Sequence, residues 1–81
     1  MNVGRAIRAV RTEAGAVLLN TDNGATFSTN VVGATIWECI EQGATKDEIV
    51  DRVCSKFDMA RDAVSRDVEE FLSSLNIACL L

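Results

Sequence analysis

Two spacings of apolar residues divide this chain. Up to about residue 28 the apolar positions form short runs separated by turn residues; from Val32 onward they recur every three or four positions. Short runs between turns predict strands, and the longer spacing predicts helices. Arg5 to Arg11 (RAIRAVR) reads as a first strand, Glu13-Ala14-Gly15 as a turn, and Ala16 to Asn20 (AVLLN) as a central strand. Asn23-Gly24 is the strongest two-residue hairpin signal, because both residue types tolerate positive φ. Ala25 to Ser28 then returns as a third strand at the edge of an antiparallel meander.

Three helices follow. Thr29 or Asn30 caps the first, a side-chain oxygen accepting from free amides of the first turn. Val32, Ile36 and Ile40 form one row, Gly33 and Trp37 a neighbouring one, and Gly43 ends the helix in the left-handed conformation. Thr45 and Glu48 stand at capping-box spacing before a second helix with Ile49, Val50, Val53 and Phe57 on its apolar stripe. Asp58 is expected to cap a third helix bearing Val64, Val68, Phe71, Leu72 and Leu75, with Asp62–Arg66 and Arg66–Glu70 as ion pairs on its exposed side. Asn76 is expected to stop it, leaving Ile77 to Leu81 as an apolar tail packed on the core. The predicted fold is α+β: a three-stranded antiparallel sheet followed by a three-helix bundle, in one domain spanning residues 1–81.

Composition narrows the function. Eighty-one residues bury a modest core, roughly 60–65% of the surface of the unfolded chain. No apolar run approaches the roughly 20 residues of a membrane span, and the first residues lack the apolar core of a signal peptide. The expected location is cytoplasmic, with no membrane partner. Cys39, Cys54 and Cys79 form no CxxC pair and the chain has no His, so the thiols read as small buried hydrophobes rather than zinc ligands or disulfides. No metal and no cofactor is expected. Without His, a glycine-rich phosphate loop or a nucleophile–base pair, no catalytic constellation is present. The carboxylates fall where solvated helix faces place them, Asp47 and Glu48 lie in a helix first turn where the dipole favours acids, and Trp37 reads as a core anchor. The chain is expected not to be an enzyme.

Charge weighs against nucleic acid. Residues 1–12 carry Arg5, Arg8 and Arg11 and no acid; the remainder holds all 12 acids and five bases, for a net −4 overall. Strands beside three helices could build a winged helix-turn-helix, so a DNA-binding or other protein-interaction regulator is the main alternative. Its recognition helix would then carry Asp58, Asp62, Asp67, Glu69 and Glu70 against Arg61 and Arg66, a surface that repels phosphates. An acyl carrier needs a serine in Asp-Ser-Leu context, and none of the serines stands there.

The ordered series of motifs resembles one family. Val17-Leu18-Leu19-Asn20, Gly24 to Ser28, Asn30-x-x-Gly33-x-x-Ile36-Trp37, Gly43-Ala44-Thr45-x-x-Glu48-Ile49, Phe57, and Asp67-Val68-x-x-Phe71-Leu72-x-x-Leu75 are similar to the PqqD-like proteins. These are the precursor-peptide recognition elements of ribosomally made, modified peptides, and the stand-alone lasso-peptide type is nearest. Phe27 stands where those relatives often carry Trp or Tyr nearby, and Thr29 where a Leu commonly precedes the Asn. The resemblance implies a protein that binds the leader segment of a precursor peptide. The leader adds as a strand to the third strand, against the third helix, and is delivered to a separate leader peptidase or other modifying enzyme.

The residues suit that role on physical grounds. An edge strand supplies main-chain hydrogen bonds and neighbouring pockets supply selectivity. The expected peptide-contacting residues on the strand side are Ala25, Thr26, Phe27, Ser28 and Thr29. Projecting the third helix at about 100° per residue puts Ala63, Asp67, Glu70, Phe71 and Ser74 on the flank beside its core stripe. Ala63 and Ser74 leave room there, Phe71 is an apolar wall, and Asp67 with Glu70 adds negative charge.

Overall fold

A three-stranded antiparallel meander leads into three helices in the computed structural model, which describes residues 7–77. The strands are β1 (Ile7–Thr12), β2 (Gly15–Asn20) and β3 (Thr26–Thr29), in the order β1-β2-β3. The helices are α1 (Val31–Glu41), α2 (Lys46–Phe57) and α3 (Arg61–Ile77). Alternation in β2 divides the faces of the sheet: Ala16, Leu18 and Asn20 are buried, while Val17 and Leu19 point away from the helices. Leu18, Trp37, Ile40, Ile49, Val53, Val64, Val68 and Leu75 share one core to which all three helices contribute. Trp37 is 1% exposed, as expected of an anchor. Cys39 is buried and Cys54 half-buried, both as free thiols. Burial raises the Cys39 pKa. Among the described residues no helix is long and apolar enough to cross a membrane.

Local signals set several boundaries as expected. Asn30 caps α1, accepting from the Gly33 amide at 2.9 Å. Gly43, at φ 78°, ends it. Its N–H donates to the Ile40 carbonyl, and that of Ala44 donates to Cys39. This crossed pair of bonds satisfies carbonyls that the helix leaves open, and only a left-handed residue allows it. Thr45 and Glu48 form the full capping box at the start of α2.

Elsewhere the structure corrects the sequence reading. The first strand runs one residue past Arg11, and Arg5 lies outside the described residues. The β2–β3 turn is not a two-residue hairpin. Asn20 donates to the Ala25 carbonyl and Gly24 donates back to Asn20, closing a wider loop in which only Gly24 has positive φ. Side chains displace the tight turn: Asn20 Oδ1 accepts from Asp22 N at 2.9 Å and Asn23 Oδ1 from Ala25 N at 2.8 Å. Ala25 therefore belongs to the loop, and β3 starts at Thr26 and takes in Thr29. Asp58 does not cap α3. It ends α2 in the left-handed conformation (φ 52°, ψ 49°), and Val64 donates to the Ala60 carbonyl at the start of α3. Asn76 lies inside α3, because packing of Leu75 carries the helix to Ile77. The three ion pairs among the described residues join different elements: Arg11 with Glu38, Lys46 with Glu69, and Arg61 with Asp51. Neither expected pair within α3 is among them; Asp62, Arg66 and Glu70 are all exposed, where an ion pair gains little over hydration. Ile77 is exposed, and the rest of the expected apolar tail lies outside the described residues.

Candidate functional site

The phase of β3 follows from the bond between Asn20 N–H and the Ala25 carbonyl. Asn20 and Ala25 continue the register in which Leu19 faces Thr26, Leu18 faces Phe27 and Ala16 faces Thr29. In an antiparallel pair, hydrogen-bonded and non-bonded pairs alternate. Phe27 and Thr29 therefore direct their backbone N–H and C=O groups at β2. Thr26 and Ser28 direct theirs outward. Among the described residues no strand pairs with that edge. The side chains follow the opposite rule: Phe27 and Thr29 turn toward the helices and are half-buried, while Thr26 and Ser28 are exposed.

A groove of about 380 Å³ runs beside this edge. Phe27 and Thr29 of β3 form one wall, and Asp67, Glu70, Phe71 and Ser74 of α3 form the other. Asn30, Val32, Gly33 and Ile36 from the start of α1 line its base, with Met59 contributed by the α2–α3 connection. The Phe27 and Phe71 rings meet edge-to-face, 5.7 Å between centroids at 86°, and tie the two walls together. That geometry is favoured by the ring quadrupoles. Gly33 makes the close approach feasible. A Cβ there would collide with the Thr29 side chain and come within 2.9 Å of Phe71 Cε2.

Six of the ten residues expected from the sequence meet in this groove: Phe27, Thr29, Asp67, Glu70, Phe71 and Ser74. Thr26 and Ser28 lie beside it with their backbone at the free edge. Ala25 sits in the preceding loop, its carbonyl accepting from Asn20. Ala63 is exposed and does not line the groove. The sequence reading missed Asn30, Val32, Gly33, Ile36 and Met59 as groove residues. The available cue was Gly33. Glycine in a helix costs about 1 kcal/mol relative to alanine, so its presence beside a capping Asn signals close packing.

Charge is concentrated on the α3 wall. Asp67 and Glu70 are both exposed and join none of the ion pairs among the described residues. Their neighbour Glu69 is engaged by Lys46 of α2, whose hydrogen bond holds the Glu69 carboxyl below its ordinary value. The arrangement offers a strand-pairing edge, an apolar recess and an acidic lip, which together suit an extended peptide.

Known proteins share this architecture. The family model described as coenzyme PQQ synthesis protein D (PqqD) matches residues 15–81. The solved structure of TbiB1 in complex with the TbiA(beta) leader peptide is similar with a TM-score of 0.89 and 33% sequence identity, covering 100% of this chain and 94% of that one. The structure of a lasso peptide synthetase B1 complexed with its leader peptide is similar in fold, with a TM-score of 0.80, 23% identity, and coverage of 93% of this chain and 88% of that one. No curated protein sequence matches the chain.

Proposed function

This chain belongs to the PqqD family, and we propose that it binds the leader segment of a ribosomally made precursor peptide and presents it to a separate enzyme. The observation that carries this reading is the free edge of β3 beside the groove. Thr26 and Ser28 offer two N–H donors and two carbonyl acceptors to an added strand. Each bond contributes about 0.5–1.5 kcal/mol net. An antiparallel peptide would place the side chains opposite Phe27 and Thr29 over the groove and turn the intervening ones to solvent. The similarity to TbiB1, whose structure holds a leader peptide, supports leader binding here. The likeness to a lasso peptide synthetase B1 complexed with a leader peptide supports lasso-peptide biosynthesis as the setting, and the sequence resemblance implies a separate leader peptidase or other modifying enzyme as the partner served. The chain itself performs no catalysis in this reading. Its role is capture and delivery.

The test uses the backbone phase. Proline at Thr26 or Ser28 removes an N–H aimed at the peptide, whereas proline at Ala9 removes one aimed at the opposite free edge, that of β1. Titration calorimetry with the N-terminal segment of the precursor peptide from the same gene cluster should show affinity falling roughly threefold to tenfold for Thr26→Pro and Ser28→Pro. Ala9→Pro should bind as the parent does. Equal affinity for all three folded variants would sink strand addition at β3.

A further inference from the structure

Asp67 and Glu70 stand one turn apart on α3 at the lip of the groove. Three carboxylates elsewhere are held in ion pairs: Glu38 with Arg11, Asp51 with Arg61, Glu69 with Lys46. Asp67 and Glu70 join no ion pair among the described residues, and no lysine or arginine lines the groove itself, although Arg66 borders Glu70 in the shallow recess on the next face of α3. Beside them Val32, Ile36, Met59 and Phe71 give the recess its hydrocarbon surface, shared with the polar Thr29, Asn30 and Ser74. A side chain entering from the β3 edge therefore has apolar surface along its length and carboxylates within reach of its end. Lysine and arginine match that order, since their stems cover apolar surface while the charged head stays at the water boundary. Aspartate and glutamate in the same place would face like charge, and a purely apolar residue would leave the acids without a partner.

Strand geometry limits where such a residue sits. Only side chains opposite Phe27 and Thr29 project over the groove, two positions apart in the peptide. We infer that this groove selects a leader in which one of these two inward residues is arginine or lysine, held by Asp67 and Glu70, and the other is apolar, packed on Phe27 and Phe71. The inference rests on the leader-binding reading and adds the chemistry of the peptide to it. The two carboxylates, three residues apart on one helix face, suit the planar fork of arginine, which engages more than one oxygen at once. The net charge of −4 favours approach of the same peptides.

A displayed library of random 15-residue peptides, selected in parallel on the immobilised parent, on Asp67→Asn/Glu70→Gln and on Ser28→Pro, tests this. The expected result is enrichment of Arg or Lys two positions from an apolar residue on the parent, and loss of the basic preference on the double variant. One enriched peptide and its norleucine counterpart are then titrated against both proteins. The basic residue should be worth roughly fivefold to tenfold in affinity on the parent and near onefold on the double variant, with the parent's advantage shrinking at high salt. Peptides enriched without a basic preference, or with the same preference on the double variant, overturn the charge inference while leaving strand addition intact. Peptides captured equally well by Ser28→Pro, or no enrichment on the parent, overturn strand addition and the inference with it.

Discussion

Trp37 and Phe71 divide the work of the core between stability and recognition. Trp37 is 1% exposed and does not line the groove. Trp37→Ala should cost about 3–5 kcal/mol, a large share of the roughly 5–15 kcal/mol that holds a domain together. Chemical denaturation should show the variant largely unfolded in the absence of denaturant or close to it. Phe71 is 9% exposed but lines the groove and meets Phe27 there. Phe71→Leu keeps the apolar volume and loses the ring contact, so the melting temperature should fall slightly and peptide affinity clearly. A thermal melt beside a calorimetric titration checks it. A large loss of stability with unchanged affinity in the folded protein would put Phe71 wholly inside the core.

At the scale of elements, end signals matter most where an exposed helix must start. The backbone N–H of Thr45 donates to the Glu48 carboxylate at 2.8 Å, and this bond, with that of the Thr45 side chain, holds the Glu48 pKa below its ordinary 4.5. Glu69 is lowered as well, by Lys46. A carboxyl whose folded pKa is depressed stabilises the fold above its unfolded pKa and loses that contribution as pH falls through the folded value. Stability should therefore hold from neutral pH to about pH 5 and decline below the ordinary glutamate range near 4.5. Thr45→Ala should lower stability by about 1 kcal/mol at neutral pH and flatten part of the acid limb. Urea titrations at several pH values measure both. Asp58 shows how one residue type serves two ends. Its short polar side chain suits an N-cap, yet it also tolerates the left-handed conformation that closes α2.

For the molecule as a whole, binding and folding are linked. The groove exists only where β3, the start of α1 and α3 come together. A peptide that recognises this assembly has no counterpart in the unfolded chain. At a hundredfold excess over Kd it should add about 2.7 kcal/mol of stability, enough to raise Tm by roughly 10–20 °C in a domain of this size. Differential scanning fluorimetry with and without the precursor segment measures the shift. Ser28→Pro should melt near the parent's own temperature and show little added shift. A full shift in that variant would mean that the peptide binds away from the β3 edge.

Features decided by short-range bonds were legible from residue order alone. Asn30 before Gly33, the Thr45–Glu48 box and the Gly43 stop involve partners a few residues apart, so their geometry is legible from spacing alone. The apolar periods likewise identified the sheet, the helices and most of their buried faces. Tertiary structure decided everything that depends on distance between elements. The outward phase of Thr26 and Ser28 depends on how β3 registers with β2, and the loop before it is shaped by the Asn20 and Asn23 side chains rather than by the Asn-Gly pair alone. Val32 and Ile36 reach the groove base because α1 crosses under it, whereas Ala63 turns away although its helical angle put it on the same flank as Asp67. A helical projection gives a direction around one axis. It does not give the tilt and offset at which packed helices meet, and those alone decide which residues on a flank line a groove.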